Sequence, residues 1–277
     1  MLPEMIIRQW EEHAPWQEPV QVEHDLVMSR ILVEIFQDEF LSEHLIFRGG
    51  TAINKFHFSP KKRFSEDLDF SQFHEGPIKP IQSKILRLIE EIEGIDFVKS
   101  KRSEIGWKYF FKFEPEDPTV DSRRLKIEIN TRDHFTLFGR TTETYAIHNR
   151  WFRGEAEIST VDIEGLMAGK LVALYDRKKG RDLFDLAQGL KEEIMDATKV
   201  IKGFVDYLAR DNRAVSRAEF ELNLSGKLRD EDFRTDVLPT LTPDIDYSPD
   251  EAVRTVHEHL VSKLDGAPYQ GDDNIFK

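Results

Sequence analysis

The stretch LIFRGGTAINKFHF, residues 45–58, constrains the fold more than any other part of the chain. Leu45, Ile46 and Phe47 form a short apolar run that reads as a strand. Gly49 and Gly50 break it, and the residues that follow read as a helix whose start Thr51 can cap through its hydroxyl. A strand, a tight glycine turn and a helix N-terminus turn backbone N–H groups and the positive helix end toward whatever approaches, which suits an anion such as a triphosphate. After a basic loop, FSEDLDFSQF alternates with the period of a strand. Phe64, Glu66, Leu68 and Phe70 fall on one side, and Ser65, Asp67 and Asp69 on the other. A lone glycine pair is usually just a turn, and a lone pair of alternating aspartates is usually solvated, as is expected of Asp244 and Asp246 in their Pro-flanked segment. The combination is more specific, because acids sharing one face of a strand that otherwise enters a core repel each other and need a compensating cation.

The rest of the chain supplies partners for this unit. Residues 22–40 read as an amphipathic helix with Leu26, Ser29, Leu32, Val33 and Phe36 on one face, and residues 78–93 as another, with Ile81, Ile85, Leu88 and Ile92 inward and Gly94 as its C-cap. From 95 to 132 the pattern is that of strands, with a hairpin turning near Ser103–Gly106. In RRLKIEIN, Leu125, Ile127 and Ile129 face the core while Lys126, Glu128 and Asn130 face away. Glu128 is thus a third carboxylate on an open strand face, although Lys126 and Arg124 also offer it an ordinary ion pair. After residue 160 the signal becomes helical to about 235, followed by an acidic tail rich in Pro and Asp. An α+β chain is expected, with residues 1–157 as a catalytic domain carrying an N-terminal helix and residues 158–277 as a helical C-terminal domain with an acidic tail.

Composition narrows the chemistry. With no Cys there is no disulfide, thiolate nucleophile or zinc-thiolate site, and the nine His show no metal-ligand spacing, so any metal must be held by oxygen. Asp67, Asp69 and Glu128 are the candidate ligands, and Mg²⁺, as a pair of ions, is the cation such a set suits. His57 and His74 flank the aspartates without partners and read as packing residues, and Phe110, Phe111 and Phe113, which could stack on a base, are more often core. No apolar run is long enough to cross a membrane and the first twenty residues lack a leader's apolar core, so a cytoplasmic location is expected. The net charge of −13 argues against a nonspecific nucleic-acid coat. It is unevenly spread: residues 42–64 carry five cations against Glu43, whereas residues 226–277 carry twelve acids and six bases.

At FRGGTAINK…RFSEDLDFSQ the sequence resembles the GG[ST]…DxD signature of the DNA polymerase β nucleotidyltransferase superfamily. The wording RFSEDLDF is similar to the AbiEii/AbiGii family, the toxins of type IV toxin–antitoxin and abortive-infection systems. Gly169–Leu174, Asp176-Arg177 and Gly180–Leu186 resemble that family's KLxAL…R…RDxxDL motif, so the resemblance spans roughly residues 20–190. It implies a polymerase-β-like core, a mixed sheet flanked by helices, that transfers NMP from an NTP to an acceptor hydroxyl. On that reading Asp67 and Asp69 hold two Mg²⁺ with help from Glu128, and Gly49, Gly50, Thr51 and Ser65 cradle the phosphates of ATP, GTP or CTP. Arg63, Lys170 and Arg181 would neutralise the triphosphate. Asp182 and Asp185 would either form structural ion pairs with Arg177 or Arg181 or orient the substrate hydroxyl. The resemblance further implies a tRNA 3′ end as acceptor and a cognate AbiEi-like antitoxin as partner; if tRNA binds, the positive segment 42–64 and the Lys/Arg-rich strands at 99–132 are expected to line its path. Two alternatives stand beside it: a protein or small-molecule acceptor such as an aminoglycoside, and a nucleotide-binding interaction module that does not turn over.

Overall fold

The computed structural model describes residues 2–276. Seven strands form one sheet: β1 Leu45–Arg48, β2 Asp67–Gln72, β3 Ile95–Arg102, β4 Gly106–Phe113, β5 Arg123–Asn130, β6 Arg140–His148 and β7 Arg153–Val161. Their order is β3-β4-β5-β2-β1-β7-β6. The sheet is mixed: β2 runs antiparallel to β1 and parallel to β5, β1 runs parallel to β7, and the two hairpins β3–β4 and β6–β7 lie at its edges.

Helices α1 Glu4–Trp10, α2 Pro19–Gln37, α3 Glu39–His44, α4 Gly49–Phe56 and α5 Lys79–Glu90 accompany these strands. Pro19 opens α2 with its φ preset for the first turn. The helix then runs through the core against β2, β5, β6 and β7, with Leu26, Met28, Ile31 and Leu32 fully buried. In β5 the alternation is clean: Leu125, Ile127 and Ile129 are buried and the residues between them reach solvent. Burying such residues at ~25 cal/mol per Å² of apolar surface fixes the register, because a one-residue slip would turn all three outward. On α5 the inward positions are Ile81, Ile85 and Ile89, with Leu88 half-buried, and Gly94 takes φ +87° just past the helix end.

The remaining helices are α6 Ile163–Asp176, α7 Gly180–Lys191, α8 Ala197–Arg210, α9 Arg217–Lys227, α10 Glu231–Thr235 and α11 Pro249–His259. Their starts follow sequence chemistry. Asp162, Asp196, Asp230 and Ser248 each accept a backbone N–H in the first turn, and Ser216 with Glu219 forms a full capping box.

The chain divides into two compact units after Val161, and residues Thr240–Pro243 belong to the first of them although the sequence placed them in the C-terminal domain. The physical reason is a short antiparallel bridge. Phe64 N donates to the Thr240 carbonyl at 2.7 Å and Thr242 N to the Lys62 carbonyl at 3.0 Å. This pairing also explains why β2 begins only at Asp67: residues 62–64 are already occupied, and Glu66 is exposed instead of sharing the buried face of Leu68. The β6–β7 hairpin was not anticipated from the sequence.

Candidate functional site: the open face of the first unit

β1 ends at Arg48 and α4 starts at once, without an intervening loop. That junction requires Gly49, whose φ is +79°. It requires glycine a second time, because a Cβ there would stand 2.2 Å from Asp69 Oδ2. The Asp69 carboxylate is therefore seated against the first residue of α4, where the helix's unpaired N–H groups and dipole favour negative charge. Thr51 does not cap this helix, which begins two residues earlier. Its buried hydroxyl instead bridges Ser65 Oγ, 2.8 Å away, and the Asp67 carbonyl, tying α4 to the entry of β2. Asn54 adds a second tie, accepting from Arg63 N and donating to the Gly50 carbonyl.

Asp67 and Asp69 alternate with buried Leu68 and Phe70, so both reach the open face. The parallel pairing of β2 with β5 places Asp67 opposite Lys126 and Asp69 opposite Glu128. Glu128 in turn lies opposite Lys108 of β4. Gly49, Gly50, Thr51, Ser65, Asp67, Asp69 and Glu128 are thus brought together in one unit.

Two ammonium groups complete the site. Lys126 Nζ lies 2.8 Å from Asp67 Oδ2 and is also hydrogen-bonded to Glu128 Oε1, while Lys108 Nζ lies 3.0 Å from Glu128 Oε2. Burial alone would raise the Glu128 carboxyl, but Lys126 and Lys108 outweigh it and hold it below the usual range. Lys126 is held above the usual lysine value: burial works against its charge, and Asp67 and Glu128 more than compensate. Among the described residues no three acidic or imidazole side chains are arranged to hold a metal ion. Here the reason is visible: Asp67 and Glu128 converge on an ammonium. The donor chemistry nevertheless fits a hard divalent cation, being all oxygen with a cation already gathered between two of the carboxylates. Lys108 was missed in the sequence; the signal was the alternation of Lys108 and Phe110 with buried Tyr109 and Phe111. Arg48, also missed, stands at the glycine turn and donates to Ser71 Oγ at 2.6 Å.

Other expected site residues are held by partners of their own. Arg63 is 1% exposed and its guanidinium donates to the Phe64 carbonyl, so it is a core residue and not an open cation. The same holds for much of the basic segment 42–64: Lys62 is buried, and the Lys55 side chain is 2% exposed, in contact with both Asp25 oxygens, Ser29 and the Tyr145 hydroxyl.

In the second unit Lys170 lies on α6, its Nζ 2.9 Å from Asp182 Oδ1 and 2.9 Å from Asp185 Oδ2 on α7. Arg177 forks onto Asp182 with Nε at 2.7 Å and Nη2 at 2.8 Å. Burial would raise the Asp182 carboxyl, but Lys170 and Arg177 push it far below the usual range. The sequence expectation of a mobile Lys170 meets an immobilised one, because Asp182 and Asp185, an i, i+3 pair on α7, are buried and bind its charge. Arg181 pairs with Asp236 at 3.3 Å.

Comparison with known proteins agrees with this architecture. MenT4, a nucleotidyltransferase toxin of Mycobacterium tuberculosis H37Rv, is similar in structure with TM-score 0.65 and 20% identity, over 96% of this chain and 91% of that one. JHP933 of Helicobacter pylori matches with TM-score 0.53 and 21% identity, over 87% and 90% of the two chains. A putative nucleotidyltransferase of H. pylori matches with TM-score 0.52 and 21% identity, over 90% of this chain and 100% of that one. These likenesses concern the fold. The curated proteins contain no match. Residues 30–258 match the family described as nucleotidyl transferase AbiEii toxin, type IV TA system. The chain therefore belongs to the AbiEii family of nucleotidyltransferase toxins, which makes it a nucleotidyltransferase.

Proposed function

We propose that this nucleotidyltransferase is magnesium-dependent and transfers NMP to the 3′-terminal hydroxyl of an RNA, a tRNA acceptor end. The observation that carries the reading is the seating of Asp69 against Gly49, with Asp67 beside it on the open face of β2. A triphosphate laid at the start of α4 would meet backbone N–H groups of Gly49 and Gly50 and the positive helix end. Asp67, Asp69 and Glu128 would hold the divalent cations, which when bound supply neutralisation of the leaving pyrophosphate and activation of the acceptor oxygen. Thr51 and Ser65 fix the spacing between helix and carboxylates, so that the acceptor hydroxyl can be lined up with the α-phosphate.

The acceptor assignment draws on the rest of the same face. Lys99 and Lys101 of β3 lie opposite Phe110 and Lys108 of β4, and Arg124 and Lys126 follow on β5. Phe110 is half-exposed, with the Lys99 ammonium 5.6 Å and the Arg124 guanidinium 6.0 Å from its ring centre. An aromatic surface among cations suits a stacked base and its phosphates. It repels a cationic small molecule. Residues 42–64 lose their part in this path, since most of their cations are buried. Lys170, Asp182 and Asp185 are assigned to holding the second unit together. The toxin's partner is taken to be an AbiEi-like antitoxin.

The test is label transfer. Protein with α-labelled NTPs, Mg²⁺ and total RNA is expected to label the RNA fraction, and Asp69→Asn to lower the rate at least ~100-fold. Label appearing in a protein extract but never in RNA refutes the acceptor; equal rates for Asp69→Asn refute the site.

A further inference from the structure

Two carboxylates of the site already share a cation, and that cation belongs to the chain. Lys126 and Glu128 stand two residues apart on one face of β5, and the parallel register with β2 sets Asp67 directly across from Lys126. Lys126 Nζ is 2.8 Å from Asp67 Oδ2 and bonded to Glu128 on its other side. Its side chain is 24% exposed, carried on a flexible four-carbon stem, so the ammonium is held by charge and not by enclosure.

A divalent ion could not join this arrangement. Mg²⁺ draws carboxylate oxygens to ~2.0–2.1 Å, whereas ammonium holds them near hydrogen-bond distance, and the two cations would repel each other at close range. Lys108 remains on Glu128 from the other side, so the departure of Lys126 does not strip Glu128 of all its compensation.

We propose that Lys126 is the resident counter-ion of the metal site: it holds Asp67 and Glu128 in place before the metal arrives and is displaced when the metal binds. It acts through the two carboxylates and is a positioning residue. The inference rests on the metal-dependent reading above, and binding measured without turnover tells the two apart.

The experiment is Mn²⁺ titration of the full chain by calorimetry, with Lys126→Met, Lys126→Arg and Asp69→Asn beside the wild type. Removing a competitor that makes charged hydrogen bonds is expected to tighten Mn²⁺ binding about tenfold in Lys126→Met. Lys126→Arg keeps the competing charge and should bind like the wild type. A purely structural lysine would give the opposite sign, weaker binding through disordered carboxylates. In thermal melts Lys126→Met should unfold at a lower temperature than the wild type without metal and gain more from added Mn²⁺. Unchanged or weaker Mn²⁺ binding by folded Lys126→Met overturns the inference alone. If wild type, Lys126→Met and Asp69→Asn all fail to bind Mn²⁺, the metal reading falls and the inference with it.

Discussion

Lys170→Met removes one charge from the most deeply buried ion cluster of the second unit while keeping most of the stem's volume. In the native chain Lys170 bridges Asp182 and Asp185, Arg177 pairs with Asp182, and the Lys227 ammonium acts on Asp182 from farther away. Both carboxylates are fully buried, at 0% exposure, whereas the Arg177 side chain is 54% exposed and shares its charge with water. Without the ammonium, two buried like charges three residues apart on α7 lose the cation that bridges them, and the partly solvated Arg177 and the more distant Lys227 act on Asp182 only in part. Breaking a buried pair by removing one partner costs about 3–5 kcal/mol, a large fraction of a total of about 5–15 kcal/mol. Denaturant unfolding followed by far-ultraviolet circular dichroism reads the helices, and tryptophan fluorescence reads the first unit, where Trp10, Trp16, Trp107 and Trp151 all lie. The midpoint of the dichroism transition should fall, with the slope for that transition unchanged. Adding Asp185→Asn to Lys170→Met should recover at least ~2 kcal/mol, since it removes one of the two buried charges that shared the ammonium. A Lys170→Met protein within ~0.5 kcal/mol of wild type, or one that Asp185→Asn destabilises further, would refute the account.

Gly49→Ala meets two obstacles, a left-handed φ that costs ~1–2 kcal/mol and a Cβ 2.2 Å from Asp69 Oδ2. The variant should fold, shown by dichroism, yet lose at least ~100-fold in nucleotide transfer because Asp69 is displaced; wild-type rates would contradict the seating of that carboxylate. His24 sits between the rings of Phe64 and Phe113, with centroids 5.4 and 5.6 Å away, and burial, helped by Arg123, lowers it from 6.5 to about 4. As pH falls from 6.5 to 4 the unfolded chain takes up a proton that the native ring refuses, so stability falls across that window, by about 3 kcal/mol at most. His24→Phe should gain on the wild type by that amount over the window in urea titrations at each pH, and parallel curves would refute it.

What the sequence could tell followed from local periodicity. Asp67 and Asp69 share a face because a strand repeats every two residues, and Leu125, Ile127 and Ile129 point inward for the same reason. The meeting of Asp69 with Glu128 depends on β2 pairing parallel to β5, a register that no local pattern encodes. Charge counting failed for residues 42–64 because it cannot see direction: Lys55 lies on the face of α4 that meets Asp25 of α2, and Arg63 is held by the bridge to Leu241. The β6–β7 hairpin escaped notice because much of its face carries Thr and Glu toward solvent, and only Ile147, Ala156, Ile158, Thr160 and Val161 are buried. Thr51 looked like a cap because the chain offered a hydroxyl after two glycines, but Gly49 itself adopts the turn and lets the helix start earlier.

The same device, a lysine ammonium held by carboxylates, occurs at three depths, and depth decides what each can do. Lys55 against Asp25 is 2% exposed and Lys170 against Asp182 and Asp185 is 7% exposed. Neither ammonium can leave without exchanging a charged hydrogen bond for an unpaired charge in a low-dielectric interior, so both hold elements together: α4 to α2, and α6 to α7. Lys126 is 24% exposed, its partners Asp67 and Glu128 are exposed to a similar degree, and water can take over part of its solvation as it moves. A half-solvated pair contributes less to stability and costs less to break than a buried one. An exchangeable cation therefore belongs at this position and not at the other two. It also stands between Asp67 and Glu128, where the proposed reaction would bring in a cation of higher charge.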